Sequence, residues 1–155
     1  MTINTDQFAD FLIKAKRSTY ARDGDDFSLP SPFPDSKMLA FEEGELSYRD
    51  TYFGMAQFSG QEVVSLKSCA IWSMAYSGKS MQGEDLSGIY DFLRQALMLV
   101  SADAPFRGPE ELFSKTGLHY QNRYHGNIDF FSGEESIWRK ETLLYRLYYT
   151  GGRIS

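Results

Sequence analysis

The chain has 155 residues, a formal charge of −5, one Cys, two His and an aromatic excess of 12 Phe, 10 Tyr and 2 Trp. Hydrophobic residues at 42% and charged residues at 24% are globular values, which exclude wholesale disorder, and the length fits a single domain over 1–155. One Cys excludes an internal disulfide framework and a CxxC metal site, the longest apolar run (96–100) is far short of a membrane span, and the acidic balance leaves no nucleic-acid footprint.

Asp6 and Asp10 precede the apolar stretch near the start and basic residues follow it, so no signal peptide is expected and the chain reads as cytoplasmic. From Thr5 to about Tyr20, Phe8, Phe11, Leu12 and Ala15 recur at helical spacing. Asn4 or Thr5 suits the N-cap, Asp6 suits the first turn, and Lys14, Lys16 and Arg17 complement the dipole at the far end. Residues 21–36 read as a loop, because Pro30, Pro32 and Pro34 exclude a helix interior and a central strand. Its apolar Phe27, Leu29 and Phe33 suit a lid over a sheet.

Strands are expected at 38–42, 45–53, 56–66 and 69–76, with a turn at Glu43-Gly44, an interruption near Ser59-Gly60 and a stop at Gly78. In the second of these, Leu46, Tyr48, Asp50 and Tyr52 share one face; in the fourth, Trp72, Met74 and Tyr76 do. A helix over about 85–100 follows, capped by Asp85 and striped by Leu86, Ile89, Leu93, Ala96, Leu97 and Val100, with Phe92 beside the stripe. Residues 110–114 read as a short helical turn. Strands at 118–124, 128–131 and 142–150 complete the chain, with 136–139 as an optional further strand and turns at Gly126-Asn127 and Ser132-Gly133. The order predicts an α+β domain: a curved, mainly antiparallel sheet of about six to seven strands with two principal helices.

Catalytic signatures are sparse. There is no G-x-S-x-G elbow and no phosphate loop. Cys69 opens an apolar strand without a nearby base and reads as a small hydrophobe. His119 and His125 share a strand face with Gln121 and Arg123 and read as solvated. No metal or cofactor is expected. The informative pattern is charge set among aromatics. Asp50 lies on a tyrosine-rich face, where a carboxylate needs a partner, with Arg107 or Arg146 as candidates. Glu62 is a second isolated acid, and the two carboxylates suit a cationic ligand group or acid–base work. Tyr48, Tyr52, Trp72 and Tyr76 would supply stacking surface and hydroxyls.

The segments Tyr48-Arg49-Asp50-Thr51-Tyr52-Phe53-Gly54, Phe58-Ser59-Gly60-Gln61-Glu62 and Trp72-Ser73-Met74-Ala75-Tyr76-Ser77-Gly78 resemble the patterns Y-x-D-x-Y-x-G, F-x-G-x-E and W-x-M-x-Y-x-G of a bacterial family of domains of unknown function. Pro105-Phe106-Arg107-Gly108-Pro109 is similar to its P-Y-R-G-P turn, and Tyr149-Thr150-Gly151-Gly152 to its F-H-G-G ending. Phe106 and Thr150 depart from the pattern and remove a hydroxyl and a histidine. The resemblance runs from the first helix to Ile154. It implies a domain found alone or C-terminal to helix-turn-helix, phage-repressor-like transcription regulators, and names no activity.

The expectation is therefore a non-catalytic small-molecule-binding or sensing domain. Its candidate ligand-binding residues are Tyr48, Asp50, Tyr52, Glu62, Trp72, Tyr76 and Arg107. The alternatives are an acid–base enzyme using Asp50 and Glu62, and an interaction module or homodimer whose seam is the 142–150 strand taken as an exposed edge. The ligand is unidentified, and neither direct nucleic-acid binding nor membrane association is expected.

Overall fold

The computed structural model describes residues 3–26, 28–81, 83 and 85–155. Two helical segments, α1 (Thr5–Ser18) and α2 (Tyr20–Asp23), precede a loop. Four strands follow: β1 (Ser36–Glu43), β2 (Leu46–Gly54), β3 (Gln57–Leu66) and β4 (Cys69–Ser80). Helix α3 (Leu86–Leu97) leads to β5 (Glu111–Phe113), β6 (Leu118–Asn127), β7 (Phe130–Arg139) and β8 (Thr142–Arg153). All eight strands form one antiparallel sheet in the order β1-β2-β3-β4-β8-β7-β6-β5. No helix among the described residues is long and apolar enough to cross a membrane.

Period-2 alternation decides which face of the sheet is buried. Tyr48, Asp50 and Tyr52 of β2, Glu62 and Val64 of β3, Trp72 and Met74 of β4, and Tyr145, Leu147 and Tyr149 of β8 all turn inward. Phe8, Phe11, Leu12 and Ala15 of α1 and Ile89, Phe92, Leu93, Ala96 and Leu97 of α3 join them in one core, as their helical spacing requires. Asn4 caps α1, its side chain accepting from Asp6 N at 2.9 Å. Asp85 occupies the N-cap of α3 without a side-chain capping bond.

The sheet has eight strands, more than the six to seven expected. Residues 111–113 are a strand where a helical turn was expected: Leu112 and Phe113 follow Pro109 and pair with Tyr120 and His119 at the free edge of β6. Three expected breaks also vanish, for a shared reason. Gly60, Gly78 and Gly133 lie directly opposite Tyr76, Phe58 and Tyr149 in the ladder. A Cβ on Gly60 would meet Tyr76 Oη at 2.5 Å, and one on Gly133 would overlap the Tyr149 ring. These glycines make room for an aromatic ring laid across an unbroken strand. The β6–β7 turn accordingly falls at Ile128–Asp129, beyond Gly126-Asn127.

Two placements differ from expectation. The 142–150 strand is central: β8 is hydrogen-bonded to β4 on one side and β7 on the other, so it offers no edge for a homodimer seam. Of the expected 21–36 loop, 21–23 belong to α2 and Ser36 opens β1; between them Leu29 and Phe33 are exposed, Leu29 bridging to Met38 and Phe33 lying near the Phe53 ring, so these two side chains do not close over the sheet. Phe27 lies outside the described residues.

Candidate functional site

Between the inner face of the sheet and the helices lies a cavity of about 210 Å³. Its floor is Tyr48, Asp50 and Tyr52 of β2, Phe58 and Glu62 of β3, Tyr76 of β4, and Tyr145 and Leu147 of β8. Lys16 of α1, Tyr20 and Ala21 of α2, and Tyr90, Leu93, Arg94 and Leu97 of α3 form the opposite wall. Phe106 and Arg107 close one end. Phe106 is stacked on Phe131 with ring centres 3.9 Å apart, which fixes the turn that carries Arg107. The cavity thus contains six of the seven expected residues: Tyr48, Asp50, Tyr52, Glu62, Tyr76 and Arg107. Trp72 is absent from it. Fully buried, Trp72 stacks on Phe131 and donates from Nε1 to the Ile128 carbonyl at 3.1 Å, so it is core.

The pairing of charges differs from the expected one. Arg107 binds Glu135, donating from Nε at 3.0 Å and Nη2 at 2.7 Å. Glu135 also accepts from Tyr120 Oη at 2.6 Å and Tyr145 Oη at 2.8 Å, so this fully buried carboxylate receives four hydrogen bonds. Glu62 is not isolated: it forms a buried ion pair with Lys16 Nζ. Arg146 lies half-buried on strand β8 and pairs with Glu134. Neither arginine is therefore the hydrogen-bonded partner of Asp50, which instead accepts from Tyr76 Oη at 2.7 Å through Oδ1.

Asp50 and Glu62 are direct cross-strand partners on β2 and β3. Like charges in that position repel, at a side-chain spacing of ~5 Å. Burial, reinforced by Glu62, pushes the Asp50 carboxyl up to about 7, while the Tyr76 hydroxyl, Lys16 and Arg107 pull the other way. Burial likewise lowers the Lys16 ammonium, with Glu62 opposing the shift. The tyrosines are held in their phenol form: burial raises Tyr48 and Tyr76 well above the ordinary value and Tyr20 to about 12. Tyr52 is raised by burial and then by the nearby Asp25 carboxylate, with which its buried Oη makes no full hydrogen bond.

The rings that cross glycine are what build the site. Tyr76 passes over Gly60 to reach Asp50 two strands away, and Tyr149 passes over Gly133 to donate to Asn122 Oδ1 at 2.8 Å. Two residues of the polar network were missed from sequence. Lys16 falls on the stripe of Phe8 and Leu12 at i+8 and i+4, which is the signal that it points inward. Glu135 alternates with Phe131 and Ile137 on the buried face of β7, a pattern hidden when the strand is divided at Ser132-Gly133.

Elsewhere, His119 stacks on Phe113 at 4.1 Å, with its Nε2 3.5 Å from Glu111, and His125 is exposed. Cys69 is free and exposed at the start of β4. No cluster of three His, Cys, Asp or Glu able to hold a metal occurs among the described residues.

Residues 50–154 match a family described as a domain of unknown function (DUF5680). The match begins at Asp50, so α1 and its Lys16 lie outside the matched segment. No curated protein and no solved structure matches the chain.

Proposed function

The chain belongs to the DUF5680 family, and we propose that it is a non-catalytic small-molecule-binding or sensing domain whose ligand occupies the cavity beside Asp50. The observation that carries this reading is the convergence of Tyr48, Asp50, Tyr52, Glu62, Tyr76 and Arg107, drawn from three strands and a turn, on one cavity. Protein interiors are normally packed without voids of this size, and open space lined by aromatics with a few directed polar groups is the usual form of a ligand site. Trp72 is excluded from the binding set.

A sensing role follows by analogy from the resembled domains, which occur alone or behind bacterial helix-turn-helix regulators; on that basis the domain works in the cytoplasm and is linked to transcription regulation. Native mass spectrometry of protein purified without denaturation tests the reading. A small-molecule adduct released on unfolding and lost in Tyr52→Ala supports it. Protein free of adducts, together with cavity amide signals indifferent to a fragment library, contradicts it.

A second reading, an acid–base enzyme, is favoured by one specific observation: Asp50 is pushed up to about 7 inside a cavity, where it could exchange a proton near neutral pH. A turnover that depends on pH and disappears in Asp50→Asn would replace binding by catalysis.

A further inference from the structure

Charge accounting around the cavity singles out one group. Each cation on its wall has its own carboxylate: Lys16 with Glu62, Arg107 with Glu135, and Arg94 with Asp91. The rim carboxylate of Asp25 is matched by Lys37. Among the described residues that line the cavity, Asp50 is the carboxylate without an ionic partner of its own. Its Oδ1 is occupied by the Tyr76 hydroxyl, and Oδ2 receives no hydrogen bond from the described residues. Nearby, the Tyr52 hydroxyl is buried, lines the same space and makes no full hydrogen bond, the Asp25 carboxylate standing near it, so its oxygen is open to accept. A free carboxylate oxygen and a free phenol oxygen are both acceptors, and the surrounding walls are tyrosine and phenylalanine faces, which attract cations.

We infer that the cavity takes a compact organic cation, an ammonium or amidinium on an aromatic or aliphatic body, with Asp50 Oδ2 as its counter-ion and Tyr52 Oη as a second acceptor. This rests on the ligand-binding reading and names the ligand class for it. An anion is disfavoured because the guanidinium and ammonium groups on the walls are already engaged by carboxylates. The groups facing Asp50 are Glu62, Lys16, Arg107 and Tyr76, with Tyr48 and Tyr52 on its own strand. Because Asp50 is pushed up to about 7, a cation must displace its proton, and affinity depends on the ionised fraction.

Benzylammonium, benzyl alcohol and benzoate, three probes of similar shape and different charge, test the inference on the intact protein by amide chemical-shift titration. Benzylammonium remains protonated at the pH values used. It should bind about tenfold tighter at about pH 8 than at about pH 6, shift signals of Tyr52 and Tyr76, and exceed both other probes. Asp50→Asn should abolish the pH dependence and the preference, while the three-probe comparison on the unaltered chain needs no variant to fold. Benzyl alcohol or benzoate binding the cavity as well as benzylammonium would overturn the cation assignment and leave the ligand-binding reading standing. Failure of all three to move any cavity signal would overturn both.

Discussion

Asp50 sets the chemistry at the residue scale, because it is the acid that the neighbouring ion pairs leave over. Its folded-state value, about 7, lies above the ordinary carboxylate value, so the native state holds the proton more tightly than the unfolded chain. The stabilisation is complete below the unfolded value and is lost as pH rises through about 7. Asp50→Asn should remove that loss. In urea titrations the variant should gain on the unaltered protein between about pH 4.5 and about pH 8, by roughly 3 kcal/mol. A parallel pair of stability curves would place Asp50 in a wetter environment than its burial implies. Glu135 is the complementary case, a carboxylate with all its acceptor capacity engaged. Glu135→Ala strands the Arg107 charge and two tyrosine hydroxyls, and the expected cost by denaturant unfolding is about 3–5 kcal/mol. The roles of these two acids were unequally legible. Asp50 stands out in sequence because it interrupts a run of alternate aromatics, whereas the partners of Arg107 and Glu62 are set by residues 28 and 46 positions away.

Elements are joined to one another by the same side chains. Helix α1 is docked to the sheet by apolar packing, Phe8 against Trp72 and Phe11 against Phe41, and to β3 by the Lys16–Glu62 pair, a contact that positions the cavity wall as well as holding the helix. Lys16→Met leaves Glu62 buried without its cation and should cost about 3–5 kcal/mol, whereas the double variant Lys16→Met/Glu62→Gln should recover most of it. A double-mutant cycle measures the difference, and additive losses would mean that the pair does not couple helix to sheet. In the strands, glycine acts as the floor under aromatic rings. Gly60→Ala forces Tyr76 off its path, and overpacking of this kind costs ~1–3 kcal/mol. The Tyr76–Asp50 hydrogen bond should be lost with it, which a Tyr76→Phe/Gly60→Ala comparison detects as non-additivity. This local rule explains where sequence and structure part. Glycine at 60, 78 and 133 looks like a turn signal when only chain neighbours are considered, and its meaning depends on the residue opposite it in the ladder. The alternation of Tyr48, Asp50 and Tyr52, by contrast, is local and needed no partner to be read.

At the scale of the whole molecule, the strand order explains how distant segments meet. Pairing of β4 with β8 joins the first four strands to the last four and brings Tyr145 and Leu147 into the cavity that Tyr76 also lines. The α+β class and antiparallel pairing follow from element order and short connections, both visible in the chain. Placing β8 at the centre requires the long-range pairing itself, and an isolated strand pattern carries no information about whether one or both of its edges are used. The match to DUF5680 over 50–154 covers the sheet from the middle of β2 onward and leaves Tyr48 and the Lys16 side of the cavity outside it. The proposed role of the cavity is that of a ligand site organised on Asp50. A high-resolution electron-density map of protein purified without denaturation tests it most directly. An ordered small molecule is expected beside Asp50 Oδ2 between Tyr52 and Tyr76; collapse of those rings into the cavity, with Asp50 drawn into an ion pair with Arg107, would rule the ligand site out.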